Sequence, residues 1–512
     1  MSVILKDLND YIAPSQACIK PVEVNKTADN NNNVIKIDDS GGYYEVSLDG
    51  IETKLQTAQI TLDDCLACSG CITSAESVLI TMQSQEELYN VLKLNKEAID
   101  QNKPDQKKTI VISIAPQSIA SIAAKYDLTP LQVAKRLTNF FKSLGVHYVF
   151  DTSFSRDFSL LESAREFVER FRIYQEKQQK NAPVEDNNVK STRIKRNGTS
   201  GGGDDAMSEA KLPMLASACP GWICYAEKTH GFILPYVSQT KSPQQIMGSV
   251  VKDYLANKLG IKPNNIYHVG VMMCYDKKLE ASRPDFFSEE YQTRDVDCVI
   301  TTGEVVKMFE ENNYDIKTSD ESSLDDFTKT SQEKELLRSS GSASGGYLEF
   351  ILEYTAREVF NITDVDVDME QGVIVKIGRN KDFKETTLEI DGKPVLKFAS
   401  AYGFRNIQNL VRKIKSNNSP YHYVEVMACP SGCINGGGQL KPDENIPIKD
   451  WISNVNNIYR NVNSLSPEKN DVVLNLYSEW LDGIDSEKSK KFLRTQYHAV
   501  ETTLVNPLAV KW

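Results

Sequence analysis

Ten cysteines occur in the 512 residues, and eight of them fall into two sets whose spacing suits metal chemistry. Cys65, Cys68 and Cys71 stand as C-x-x-C-x-x-C in LDDCLACSGCITS, a run that wraps three thiolates around one face of a cubane iron-sulfur cluster through successive tight turns. Such a cluster needs a fourth ligand. The next cysteine downstream is Cys219, whereas Cys18 lies upstream in ACIKP, before a loop-rich insert, and Cys18 is therefore the expected fourth. A zinc knuckle is the alternative; zinc sites favour two well-separated pairs, often with histidine, and the first histidine of this chain is His147.

The second set is spread over three segments. Cys219 follows the apolar run Pro213 to Ala218, Cys274 follows Ile266 to Met273, and Cys429 follows Tyr421 to Ala428. Each is expected at the carboxyl end of a strand, the rim where ligands bind in open α/β sheets. Cys433 comes four residues after Cys429 in MACPSGCINGGGQL, where Gly432 and Gly436 to Gly438 would let backbone approach a bulky inorganic centre and turn amides toward its sulfurs. Any one of these cysteines alone reads as a buried, inert thiol. The four together read as thiolates converging on one pocket. Cys224 and Cys298 remain, both in apolar surroundings where a structural role is the default.

The elements that must position these residues are short, β-rich and nearly continuous in apolar character: Thr109 to Ile114, His147 to Phe150, Ile266 to Met273, Val296 to Thr301 and Tyr421 to Met427. Strands buried on both faces read this way. Helical spacing separates them. Leu131, Ala134, Leu137, Phe140, Phe141 and Leu144 repeat on one face, and Ser242-Pro243 supplies a cap and first-turn proline for a helix to about Leu259. The alternation predicts an α/β fold with a mostly parallel sheet. Val373 to Ile377, Thr386 to Ile390 and Val395 to Phe398, with the turn Asp391-Gly392, predict a β-hairpin excursion before a helix at Phe404 to Lys415. Two polar stretches, Gln178 to Lys211 and Asn312 to about Ser344, hold too little apolar surface to order themselves and read as linkers; Asn30 to Asn33 reads as loop. The expected division is an N-terminal module at 1–104, a body at 105–180 and 211–450 interrupted by linkers at 181–210 and 312–344, and a helical segment and tail at 451–512.

Composition excludes several classes. Lys and Arg number 59 against 70 Asp and Glu, a net charge of −11, so no basic footprint for nucleic acid or anionic lipid is present. The basic run Arg193 to Arg196 sits within the first linker and reads as solvated loop. The most apolar stretch, Thr109 to Ala124, is broken by Ser113, Pro116, Gln117 and Ser118 and is no spanning helix. Lys6, Asp7 and Asp10 interrupt the start MSVILKDLNDYIAPS, so no export is expected. Clustered cysteines in such a chain point to a reducing compartment and to metal binding.

SACPGW at Ser217 to Trp222, VMMCYDKKLEA at Val271 to Ala281 and VEVMACPSGCINGGGQ at Val424 to Gln439 resemble the three signature segments of the iron-only hydrogenases. FDTSFSRDFSLLESAREF, SPQQIMG and DCVITTGE resemble flanking segments, over roughly Lys108 to Gln439, and SEKSKKFLRTQYHAVE resembles the small-subunit segment that wraps the hydrogenase body. With Cys18 and a single N-terminal C-x-x-C-x-x-C, the arrangement is similar to the Nar-type factors of cytosolic iron-sulfur protein assembly. The resemblance implies an iron-only-hydrogenase-like α/β body with mostly parallel sheets behind a small, loop-rich, ferredoxin-like module. It implies two 4Fe-4S clusters, one on Cys18, Cys65, Cys68 and Cys71, the other on Cys219, Cys274, Cys429 and Cys433.

Hydrogenases carry two adjacent cysteines in the first segment, the earlier of which relays protons, and their match to Cys433 also bridges to a di-iron centre. This chain has Ala218 at the relay position, and an alanine methyl exchanges no protons. Lys277 and Glu280 match positions that in hydrogenases serve the cyanide ligand and the proton path; the other reading is an ion pair at a strand-to-helix turn. Met427 and Glu425 match as well. The implied function is a non-enzymatic cluster carrier or adaptor, cytoplasmic with the nucleus as a second location, whose partners are iron-sulfur scaffold and targeting-complex proteins. An electron-transfer or redox-sensing protein is the alternative, and a hydrogenase the third reading. Trp512 ends the chain after Leu504 to Val510 and offers an aromatic anchor for a partner, or a ring folded onto its own body.

Overall fold

The computed structural model describes residues 74–181 apart from 104 and 105, residues 211–325, and residues 336–500 apart from 340, 368 and 379, together with three short strands before residue 55. Cys18, Cys65, Cys68, Cys71 and Trp512 lie outside the described residues, as does 182–210. The chain divides into two compact units, Met1–Thr81 and Met82–Trp512. In the first, β1 (Val34–Ile37), β2 (Tyr43–Val46) and β3 (Glu52–Lys54) form an antiparallel meander with Val34 opposite Val46 and Val46 opposite Glu52. Valine, isoleucine and tyrosine suit such strands. The helix Ser74–Thr81 closes this unit.

The second unit is built on two sheets. In one, β4 (Thr109–Ile114), β5 (Tyr148–Asp151), β7 (Ile266–Met272) and β10 (Cys298–Thr301) run parallel in the order β10-β7-β4-β5. Alternate residues serve opposite faces: Ile110, Ile112, Ile114, Val149 and Val269 join one apolar cluster, and Val111 and Phe150 another. The other sheet has the order β12-β13-β14-β15-β6, from β6 (Met214–Leu215), β12 (Val373–Ile377), β13 (Phe383–Ile390), β14 (Lys393–Tyr402) and β15 (Tyr423–Met427). The sequence signals an excursion at β12 to β14, and these three are antiparallel. However, β14 pairs in parallel with β15, which pairs in parallel with β6, so the hairpin is continuous with the sheet. The long helix Ser153–Asn181 contributes Phe154, Phe158, Phe167 and Phe171 to a cluster shared with Met214, Leu396, Phe398 and Tyr423. Two-residue pairings complete the unit: β8 (Phe287–Ser288) with β9 (Thr293–Arg294), and β11 (Arg338–Ser339) with β16 (Ser464–Leu465).

The structure changes parts of the sequence reading. The helix Gln85–Asp100 belongs to the second unit, with Leu88 fully buried in its core and Asn95 Oδ1 accepting from the Lys108 amide at 2.7 Å. The stretch Asn312 to Ser344 is not all linker: Ile316 and Ala343 are buried, the Val149 amide donates to Asp325 Oδ2 at 2.8 Å, and β11 pairs with β16. The helix expected from Ser242 to Leu259 widens to a π turn over Val250–Leu255. There the Lys252 ammonium turns inward to Asp297 and the Ile266 carbonyl, each at 2.7 Å. The segment 451–500 packs against the body, with Val473, Leu476, Trp480 and Leu493 as core residues.

Burial on β7 gives the fold an acid sensitivity. His268 is fully buried, with Nε2 2.9 Å from Ser113 Oγ and Nδ1 3.0 Å from the Asp295 carbonyl. Burial pushes its pKa down to about 4, against an ordinary ~6.5. Above that ordinary value the ring is neutral folded and unfolded, and contributes nothing. Below it the unfolded chain takes a proton that the folded chain refuses until about pH 4, so stability falls as pH falls through this window. Denaturant unfolding at pH 5 should show ~2 kcal/mol less stability from this residue than at pH 7. His268→Gln should remove that share of the loss.

Candidate functional site

Both sheets end at one rim. Past β6, Ala216 to Ala218 lead to Cys219, the residue before the helix Pro220–Thr229, whose first position is a proline that gives up no useful amide. Past β7 come Met273 and Cys274, then the helix Asp276–Ala281. Past β15 come Ala428 and Cys429, a tight turn with positive φ at Ser431 (60°) and Gly432 (77°), and the short turn Gly432–Asn435 that holds Cys433. Cys274 therefore comes from the parallel sheet, and Cys219, Cys429 and Cys433 from the mixed one. The loop after Cys433 laces the two: the Gly438 amide donates to the Met273 carbonyl and the Gly303 amide to the Gly438 carbonyl, each at 3.0 Å.

The glycines serve this lacing. A Cβ on Gly436 would lie 2.4 Å from the Met273 carbonyl oxygen, and one on Gly438 2.7 Å from Thr301 Cγ2. Gly432 is closed by Ser344, whose Oγ accepts from the Cys433 amide at 3.1 Å. At 432, 436 and 438 the missing side chain lets protein approach protein, and the Gly437 amide faces the Cys429 sulfur.

All four thiols are forced toward the neutral form. Burial is the main cause for each, and it pushes Cys433 up to about 12 and Cys274 well above the ordinary thiol range. The thiols also resist one another's ionisation, Cys274 against Cys429 and Cys219, and Cys433 against Cys219. Against this act the Ala428 amide, 3.3 Å from Cys219 Sγ, and the Lys277 ammonium. Thiols of this kind become anionic when metal replaces their protons. Four soft donors, Cys219 buried and Cys274, Cys429 and Cys433 half-buried, each within range of another's charge, suit an iron-sulfur centre.

Around the cysteines, Lys277 and Glu280 form a buried ion pair at 2.7 Å, with Lys277 Nζ also donating to the Ala218 carbonyl at 3.2 Å. Gln244 Nε2 holds Glu280 Oε2 and the Lys277 carbonyl, each at 3.1 Å. Met427 Sδ lies 3.9 Å from Cys433 Sγ. Glu425 is fully buried, its carboxyl raised by burial, and is held by Tyr402 Oη at 2.5 Å and the Leu348 amide at 2.8 Å. Cys298 lies fully buried on β10, as expected of an inert thiol. Sequence reasoning missed Ser344, Gln244 and Tyr402; only the SPQQIMG segment offered a signal for one of them.

The iron only hydrogenase large subunit, C-terminal domain, matches residues 108–437, and the iron hydrogenase small subunit matches 444–500. A cytosolic Fe-S cluster assembly factor of Xenopus tropicalis is 52% identical over 99% of this chain and 98% of its own length. Cytosolic iron-sulfur assembly component 3 of Mus musculus is 51% identical over the same shares. Among solved structures, an apo [FeFe]-hydrogenase from Chlamydomonas reinhardtii is similar with a TM-score of 0.65 and 25% identity, covering 81% of this chain and 99% of that one.

Proposed function

The chain belongs to the iron-only hydrogenase large-subunit family and, within it, to the cytosolic Fe-S cluster assembly factors, and from that membership we propose that it is a component of cytosolic iron-sulfur protein assembly. In this reading it holds one 4Fe-4S cluster on Cys18, Cys65, Cys68 and Cys71 and a second on Cys219, Cys274, Cys429 and Cys433, and passes clusters toward cytosolic and nuclear apoproteins. It acts as carrier or adaptor, without hydrogenase activity. When bound, such clusters supply transferable iron and sulfide and one-electron chemistry.

The observation that supports this most is four cysteines converging on one rim, Cys219 buried and Cys274, Cys429 and Cys433 half-buried, beside Ala218. In this reading Ala218 places a methyl where proton relay would need a titratable group. The nearby Lys277 and Glu280 neutralise each other across 2.7 Å, and Lys277 spends a further donor on the Ala218 carbonyl. Cys219, Cys274, Cys429 and Cys433 come from two sheets and a laced loop, so opening the site means opening the body, which suits a retained cluster. The N-terminal set, local in sequence but for Cys18, is the better candidate for the exchangeable one. Trp512 serves in this reading as the anchor for the targeting complex.

Depleting the chain in cells and measuring iron loading of cytosolic and nuclear client enzymes tests the proposal: loading should fall, and Trp512 deletion should reproduce the fall with both clusters intact. The purified protein should neither evolve nor consume hydrogen, and Ala218→Cys should not change that. Undiminished client loading would favour an electron-transfer or redox-sensing role, and hydrogen turnover would refute the carrier reading outright.

A further inference from the structure

The helix Phe404–Lys415 buries Ile407, Leu410, Val411 and Ile414 against Ala399, Ala401, Val424 and Val426 of the mixed sheet. Its other residues include the cations Arg405, Arg412, Lys413 and Lys415 and no Asp or Glu. In a chain of net charge −11 that is a local reversal of sign. Solvated helix faces usually mix the two signs in i,i+4 pairs, and none of these cations has an ion pair among the described residues. The helix dipole accounts for Arg412, Lys413 and Lys415, which stand in the last turn; it opposes Arg405, which stands in the first.

Arg405, Asn409 and Arg412 fall at i, i+4 and i+7 and so share one helix face. Beside that face lies an open groove of about 720 Å³, lined by the exposed Arg405, Arg412 and Lys413 and by the less exposed Phe383, Leu410 and Tyr421. Among the described residues no Asp or Glu lines it. Lys413 Nζ stands 5.8 Å from the Phe383 ring centre and 5.2 Å from that of Tyr421. The neighbouring carboxylates are committed: Glu385 accepts from Tyr421 Oη and lies 3.9 Å from Lys397 Nζ, and Asp382 Oδ1 accepts from the Ser431 amide at 2.8 Å. This last bond, with the Gly403 amide donating to the Met427 carbonyl at 2.8 Å, fixes one end of the groove to the loop that carries Cys429 and Cys433.

Cations without counter-charges, set around aromatic and aliphatic side chains, are matched by carboxylates flanking an apolar residue. We propose that this groove docks an acidic, extended segment of a partner protein, whose carboxylates meet Arg405 and Arg412 and whose apolar side chain enters among Phe383, Leu410 and Tyr421. Complementary charge of this kind steers encounter and fixes register, and the acidic balance of the whole chain repels the same segment from other faces. A partner seated here is held beside the loop of Cys429 and Cys433. The inference goes beyond the assembly reading and needs no bound cluster, so the two fail separately.

The test is fluorescence anisotropy on the full-length chain with a fluorescein-labelled peptide of glutamates around one leucine, beside the same peptide with glutamine in place of glutamate. The acidic peptide should bind, more weakly as salt is raised, and the glutamine peptide should not. Arg405→Glu with Arg412→Glu should abolish binding, and the milder Arg405→Gln with Arg412→Gln, at exposed positions where the fold tolerates the change, should weaken it on the order of tenfold. Lys96→Glu with Lys469→Glu, exposed cations on other elements, should bind as the unaltered chain does. No binding to the unaltered chain at low salt, or equal loss in the groove variants and in the Lys96 and Lys469 variant, would overturn the proposal. So would tighter binding of a single-stranded oligonucleotide that the groove variants lose, which makes nucleic acid the occupant, or a dimer that they break, which makes it a second copy.

Discussion

Cys429→Ser is expected to cut iron from about eight to about four per chain, with the N-terminal signal left in place. The serine hydroxyl is isosteric, but at neutral pH it offers no anionic soft donor, and one lost ligand of four opens a cubane corner to solvent. Neither Cys298, enclosed on β10, nor Met427 Sδ near Cys433, a neutral thioether, replaces a thiolate. Cys68→Ala should give the mirror result, removing the N-terminal signal and sparing the other. Iron and acid-labile sulfide analysis on anaerobically purified protein, with spectra of the reduced form, reads both. Stoichiometric zinc, or loss of both signals on changing either set, would end the two-site scheme.

Arg170→Met should cost ~3–5 kcal/mol of stability, because it strands a buried carboxylate. Glu166 and Arg170 meet at 2.5 Å with both side chains 2% exposed. Glu166 also accepts from Ser238 Oγ at 2.6 Å and the Gln239 amide at 3.0 Å, and the neighbouring Thr240 carbonyl takes Ser217 Oγ at 2.7 Å. The pair thus stands behind the strand end that presents Cys219. The double variant Arg170→Met with Glu166→Met should recover most of the loss, since it removes both charges at similar volume. Chemical unfolding of the three proteins decides it: a single variant as stable as the unaltered chain would refute the cost of a stranded partner.

Much of the deep site was legible because strand polarity is written in sequence. An apolar run that stops at a cysteine marks a carboxyl strand end, and Cys219, Cys274 and Cys429 all obey that rule. What was not legible depends on partners far along the chain. Asn312 to Ser344 has a linker's composition, yet Arg136 Nη1 donates to the Ile316 and Lys317 carbonyls at 2.9 and 2.7 Å, and Asp325 caps β5. Polar anchoring of that kind escapes any count of apolar residues. Arg156 is a second case: it is buried in the fold, and no periodicity in the sequence marks an arginine as enclosed.

The lacing of Met273, Gly303 and Gly438 across the two sheets has one further consequence. A centre ligated from both sides of that seam ties them together, so under the proposed reading its binding free energy adds to the cohesion of the whole body. The empty chain then holds the seam without that contribution, on the shared apolar core, the hydrogen bonds of the loop and four protonated thiols. Such a chain opens more often and meets proteases more often. Cellular iron supply would therefore be registered as lifetime: the amount of this protein in a starved cell would fall through turnover, with no change in its synthesis.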